Sequence, residues 1–129
     1  MGYVRFVIND RDRDSGRRQG VFQALGELDD RKALTPGEQL TCDETYQWFR
    51  KNLRRPRRFT RSSKPHAKKV AVSWFKDTAS RHVEKMRILA GILEAHGIHV
   101  QMIRTERPGY VVYEDDHQVT AEPFGETGA

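Results

Sequence analysis

Apolar residues alternate with polar ones near the start of the chain. Val4, Phe6 and Ile8 occupy every second position of the segment 3–9. Successive side chains of a strand point to opposite faces of a sheet, so this spacing predicts a strand with one buried face. The charged segment 10–16 follows and is predicted to be a turn.

Two helices are predicted after this turn. Apolar residues recur at helical spacing over 17–31, which predicts the first helix. The second helix is predicted to begin at Thr35, whose side chain can cap the first free N–H groups. Pro36 suits the first helical position and Glu38 completes a capping box. This helix is predicted to end at about Leu53.

A third helix is predicted over 79–96, where apolar residues share one stripe. Asp77 or Thr78 is its predicted cap, and Gly97 suits the left-handed position just past a helix end. The preceding segment 70–76 carries bulky side chains on both faces and is predicted to be a buried strand. Fusion of this segment to the following helix is the competing interpretation.

Three further strands are predicted in the last third of the chain, at 98–104, 110–114 and 117–122. A turn at 107–109 separates the first two, and Asp115 and Asp116 form a tight turn between the last two. The three strands are predicted to form an antiparallel meander.

The predicted order βααβαβββ indicates an α+β fold, in which three helices pack on a mixed sheet. The strand 70–76, the third helix and the strand 98–104 are predicted to form a right-handed βαβ unit. A single domain is predicted over 1–122, with an exposed basic connector at 54–69 and a loose tail at 123–129.

The composition excludes two classes of protein. The chain has 129 residues, of which 36% are hydrophobic, which is enough apolar surface to form a core and argues against complete disorder. No stretch approaches the roughly 20 apolar residues that a membrane-spanning helix needs.

The first eight residues do not resemble a signal peptide. The lone Cys42 cannot form an internal disulfide, so a packed thiol in a cytoplasmic protein is predicted.

The net charge of +5 is unevenly distributed. Residues 45–76 contain 11 of the 23 Lys and Arg residues and none of the 18 Asp and Glu residues, so the rest of the chain is net acidic. Such segregation favours a polyanionic partner, because a focused patch steers association better than scattered charge does. Binding of nucleic acid or another polyanion is therefore the main prediction.

The residues predicted to contact this partner all lie in the basic connector. Arginine pairs with phosphate oxygens in bidentate fashion, lysine adds point charge, and an aromatic ring can stack on an exposed base. A solvated loop, or an arm that pairs with acidic residues of the protein itself, is the simpler interpretation of the same charges. The predicted set is Arg54, Arg55, Arg57, Arg58, Phe59, Arg61, Lys64, Lys68 and Lys69.

Two other functions are compatible with the sequence. A homodimer or regulatory module would use a sheet edge or the face of Trp48. A small metal-dependent hydrolase would use the acidic turn 10–14 or the hairpin 114–117, which places His117 beside three acidic residues. No catalytic residue, metal ligand or cofactor is predicted, because no established catalytic, nucleotide-binding or zinc-binding motif is present. The sequence thus favours a protein that is not an enzyme.

Four stretches of the chain carry a resemblance to known proteins, namely DSGRRQG at 14–20, SWFKD at 73–77, HGI at 96–98 and RPGYVVYED at 107–115. These stretches resemble a widespread group of small, uncharacterised bacterial proteins. The resemblance implies a bacterial cytoplasmic domain. It implies no catalytic or binding residue.

Overall fold

The computed structural model describes residues 2–11, 18–54 and 71–123. Within these ranges, six strands and three helices give the predicted α+β fold, with one short strand more than predicted. In chain order they are β1 (Tyr3–Arg11), β2 (Arg18–Gly20), α1 (Val21–Asp30), α2 (Pro36–Asn52), β3 (Val72–Lys76), α3 (Ser80–Ala95), β4 (Gln101–Thr105), β5 (Tyr110–Glu114) and β6 (Gln118–Glu122). The connector beyond Arg54 and the tail beyond Pro123 lie outside the described residues.

Strand β1 lies inside the sheet. Tyr3 and Val4 pair with both β3 and β4, so these two strands flank β1 on opposite sides. Val7 pairs with Gly20 of β2 as well as with β4, which places β2 on the same side of β1 as β3. Beyond β3 the sheet continues through β6 to β5, and every described pairing is antiparallel.

Two details of the predicted sheet are therefore wrong. The sheet is antiparallel where a mixed sheet was predicted, because β3 and β4 run parallel to each other but β1 separates them. The predicted meander is reduced to a hairpin of β5 and β6, since β4 pairs with β1 at the other side of the sheet. Both differences arise from β1, which pairs with strands about 70 to 100 residues later in the chain.

The start of α2 confirms the predicted capping box. The Thr35 side chain accepts a hydrogen bond from the Glu38 amide at 3.1 Å, and the Glu38 carboxylate accepts one from the Thr35 amide at 2.9 Å. The first helix begins later than predicted, because 18–20 pairs with β1 as β2 instead of forming a first helical turn. The Arg18 side chain supports this pairing through a bond to the Ile8 carbonyl at 3.0 Å.

Strand β3 and helix α3 are separate elements, as predicted, and the fused alternative is wrong. The predicted cap of α3 is also wrong. Ala79 occupies the cap position, while the Asp77 carboxylate accepts a hydrogen bond from the amide of Gly2 at 2.9 Å. Gly97 has a φ of +77°, which confirms the left-handed position predicted after α3.

The helices cover one face of the sheet. Phe6 and Ile8 of β1 meet Leu25, Phe49 and Leu89, one from each helix, in the larger core cluster. Burial of each such side chain contributes about 1.5–3 kcal/mol relative to exposure.

A smaller cluster on the other face contains Val72, Trp74 and Val119, all from strands. All five residues of β6 are buried, so neither face of this strand is exposed.

Candidate functional site

The C-terminal end of α2 lies where the predicted basic connector begins. Arg50 and Lys51 lie in the last turn of this helix and are exposed, and Arg54 follows them and is exposed as well. Of the residues predicted to bind a polyanion, Arg54 is within the described part of the chain. The others lie outside it, namely Arg55, Arg57, Arg58, Phe59, Arg61, Lys64, Lys68 and Lys69.

Hydrogen bonds from two other elements hold the chain where it leaves α2. His82 of α3 bonds through Nε2 to the carbonyl oxygen of Asn52 at 2.7 Å. Gln118 of β6 donates from its side-chain amide to the carbonyl oxygen of Arg54. The first residues of the basic connector are thus fixed against α3 and the β5–β6 hairpin.

His82 lies at the centre of this junction. Its side chain is buried, and its ring contacts Trp48, Phe49 and Phe75 at centroid distances of 4.8, 6.2 and 6.0 Å. The exposed imidazole of His117 stacks on it at 4.3 Å with an interplanar angle of 27°. Burial lowers the pKa of His82 below its ordinary value, against an opposing effect of the Asn52 carbonyl, and His117 lowers it further. Because a carbonyl oxygen can only accept, the neutral ring carries its proton on Nε2.

Asp115 organises the hairpin turn. Its Oδ1 accepts hydrogen bonds from the amides of His117 and Gln118, and its Oδ2 accepts from the Tyr113 hydroxyl and the Gln118 side chain. Burial by itself raises the pKa of Asp115, but these hydrogen bonds outweigh it and the pKa lies below its ordinary value. Both carboxylate oxygens are therefore engaged in structural hydrogen bonds.

The acidic residues of the hairpin do not converge on one point. Glu114 forms an ion pair with Lys76 at 2.8 Å, while Asp115 bonds within its own turn. Among the described residues, no three metal-ligating side chains lie close enough together to hold an ion. Most of the acidic turn at 10–14, including Asp12 and Asp14, lies outside these residues. A hydrolase built on that turn stays a prediction.

Two cationic side chains lie over the ring of Trp48 at the same junction. The half-buried indole ring meets Phe49 and His82 edge to face. The guanidinium carbon of Arg81 and the ammonium nitrogen of Lys85 each lie 5.6 Å from the ring centroid. The sequence prediction missed this group of residues, although Arg81 and Lys85 stand four residues apart on a predicted helix and so share one face.

Cys42 is a packed thiol, as predicted. It is 1% exposed and belongs to the larger core cluster. Burial raises the pKa of the thiol, and burial also raises the pKa of the neighbouring Tyr46 to about 12. A thiol that stays protonated is a poor nucleophile, so this residue has a structural role.

An open cleft of about 300 Å³ lies along another flank of α3. Val4 and Val83 contribute apolar surface to it, and it contains two carboxylates and two guanidinium groups. The charged residues of its lining are Asp77, Glu84, Arg87 and Arg104. Because these charges balance, the cleft does not extend the basic surface.

In comparisons with known proteins, no family model, curated protein or solved structure matches the chain. The resemblance to a bacterial group thus stays a prediction. Within the described ranges, no helix has the length and apolar character to cross a membrane.

Proposed function

We propose that the protein is a cytoplasmic, non-enzymatic module that binds nucleic acid through its basic connector, with little sequence specificity. The observation that carries this proposal is the concentration of 11 basic and no acidic residues in 45–76 of an otherwise net acidic chain. Phosphate contacts by Lys and Arg supply most of the affinity of such binders and do not depend on base sequence.

The described residues at the end of α2 support this proposal. Arg50, Lys51 and Arg54 continue the charge of the connector onto the folded body, and all three are exposed. The hydrogen bonds to the carbonyls of Asn52 and Arg54 hold the start of the connector in one place. Because the start of the connector is held in place, the connector loses less conformational entropy when it binds.

Neutralising four arginines of the connector tests the proposal. Replacement of Arg54, Arg55, Arg57 and Arg58 by Gln is expected to weaken binding to a DNA duplex by about 100-fold or more at about 50 mM salt, because fewer counterions are released when fewer phosphates are neutralised. Fluorescence anisotropy with a labelled duplex measures this change.

A matched variant controls for net charge. Arg31, Lys32, Arg104 and Arg107 are exposed and lie outside the connector, and their replacement by Gln lowers the net charge equally. This control is expected to lose less than about tenfold in affinity, since distant charges are screened. Equal losses in the two variants would refute a site at the connector. Binding to heparin but not to duplex would indicate a polyanion other than nucleic acid.

A homodimer is the alternative carried over from the sequence. The large apolar side chains that are exposed in the described ranges lie on four different elements, since Phe22 is in α1, Leu40 in α2, Ile88 in α3 and Tyr110 in β5. The Trp48 face is half-buried against α3. Neither observation favours self-association over nucleic-acid binding.

A further inference from the structure

Trp48, Arg81 and Lys85 form a compact group on the folded body, outside the basic connector. Arg81 and Lys85 are one helical turn apart on α3, so their side chains leave the helix on the same flank. Both cationic groups lie 5.6 Å from the centroid of the Trp48 ring. We refer to these three residues as the Trp48 platform.

The two cations of the platform keep their charge available. In the described part of the chain, neither Arg81 nor Lys85 forms an ion pair with a carboxylate. An aromatic face attracts a cation without neutralising its charge. The indole, itself held by Phe49 and His82, restricts the two long side chains, and so lowers the entropy cost of binding an anion.

The platform adjoins the start of the connector. Trp48 is one helical turn before Asn52, whose carbonyl oxygen bonds to His82. His82 directly follows Arg81 in α3. An anion on the platform would therefore lie close to the point where the connector leaves the body.

We propose that Arg81 and Lys85, positioned by Trp48, bind backbone phosphates of the same nucleic acid that the connector holds. This inference rests on the proposed function and extends it to a second site. A nucleic acid fits both sites because its phosphates continue along one strand. Once the connector holds one part of the strand, the platform binds the next part at high effective concentration.

A double variant tests the platform. In Arg81→Gln/Lys85→Gln, the slope of log affinity against log salt for a DNA duplex is expected to become shallower by about 1.8, since each phosphate contact contributes about 0.9. The matched control is Arg31→Gln/Lys32→Gln, which removes the same charge next to the opposite end of α2. The control is expected to keep the wild-type slope.

Trp48→Phe supplies a second readout. Trp74 is 2% exposed and is shielded from a ligand. A change in tryptophan emission on binding would therefore come from Trp48, because the electric field at its indole ring changes when the two cations engage phosphates. The change is expected in the wild-type protein and should vanish in Trp48→Phe, which retains a ring beneath the cations.

The outcomes separate this inference from the function on which it rests. If the wild-type protein binds duplex with a steep slope, but the platform and control variants have equal slopes, the platform is refuted and the connector stands. Persistence of the emission change in Trp48→Phe would also refute the platform. Absence of binding at low salt would refute both proposals.

Discussion

Replacement of Gly109 by Ala is expected to lower the free energy of unfolding by about 3 kcal/mol or more, or to prevent folding. Gly109 has a φ of +134°, a conformation that L residues rarely adopt. A Cβ atom at this position would lie 2.0 Å from the carbonyl oxygen of Glu122 and 2.9 Å from the Cα atom of Pro123. These neighbours are backbone atoms at the end of β6, so relief would require separation of β5 and β6. Strain and overpacking each cost about 1–3 kcal/mol.

Two other glycines provide matched controls. Gly97 has a φ of +77° but open space around it, so Gly97→Ala is expected to cost only the backbone strain, about 1–2 kcal/mol. Gly26 lies within α1 and has open space where a Cβ atom would be added, so Gly26→Ala is expected to stabilise the protein by up to about 1 kcal/mol. Urea unfolding followed by circular dichroism measures all three. If the free energy of unfolding of Gly109→Ala lies within about 1 kcal/mol of the wild-type value, the close approach of Gly109 to Glu122 is contradicted.

His82→Ala is expected to cost about 3 kcal/mol at neutral pH. The substitution removes the hydrogen bond to Asn52, worth about 1 kcal/mol, and leaves a cavity among Trp48, Phe49 and Phe75. The control is His99→Ala, which removes an imidazole that is 76% exposed. This variant is expected to keep the wild-type midpoint of urea unfolding at neutral pH. Similar midpoints for the two variants would contradict the buried position of His82.

The contribution of His82 is expected to depend on pH. Because the pKa of His82 is lowered in the folded protein, the unfolded chain takes up the proton first as the pH falls below about 6.5. The stability that the neutral ring supplies is present above that pH and is lost as the pH falls through the folded pKa. The difference in unfolding free energy between wild type and His82→Ala should therefore narrow between about pH 7 and pH 5. A constant difference would contradict the lowered pKa.

Local features of the fold could be predicted from sequence. Thr35, Pro36 and Glu38 define the start of α2 within four residues, and the structure has the same capping box. Gly97 likewise ends α3 as predicted, because its left-handed conformation is a property of one residue and the helix before it. Such features need no knowledge of the rest of the chain.

Features that depend on distant pairing could not be predicted. Asp77 has the sequence context of a helix cap, but its carboxylate instead bonds to the amide of Gly2, 75 residues earlier. The sequence places strand β4 in a meander, but β1 offers it a ladder of five paired residues. All five residues of β6 are buried, including the polar Gln118, Thr120 and Glu122, and the spacing of apolar residues cannot indicate this burial.

The candidate site also combines features that are visible in the sequence with features that depend on contacts between distant residues. The charge of the connector is a property of contiguous residues and is visible in the sequence. The stack of His82 on His117 joins residues from α3 and the hairpin, and no spacing rule brings those two imidazoles together. The Trp48 platform combines an i, i+4 pair on α3 with a ring from α2, so its cations can be found in the sequence but the surface that holds them cannot.

The salt dependence of duplex binding by the wild-type protein tests the proposed function most directly. If the connector contacts about five phosphates, the slope of log affinity against log salt should be about −4.5, and it should be the same for duplexes of unrelated sequence. Anisotropy titrations over a range of salt concentrations give this slope. Affinity that does not change with salt, or no binding at low salt, would contradict nucleic-acid binding by the basic connector.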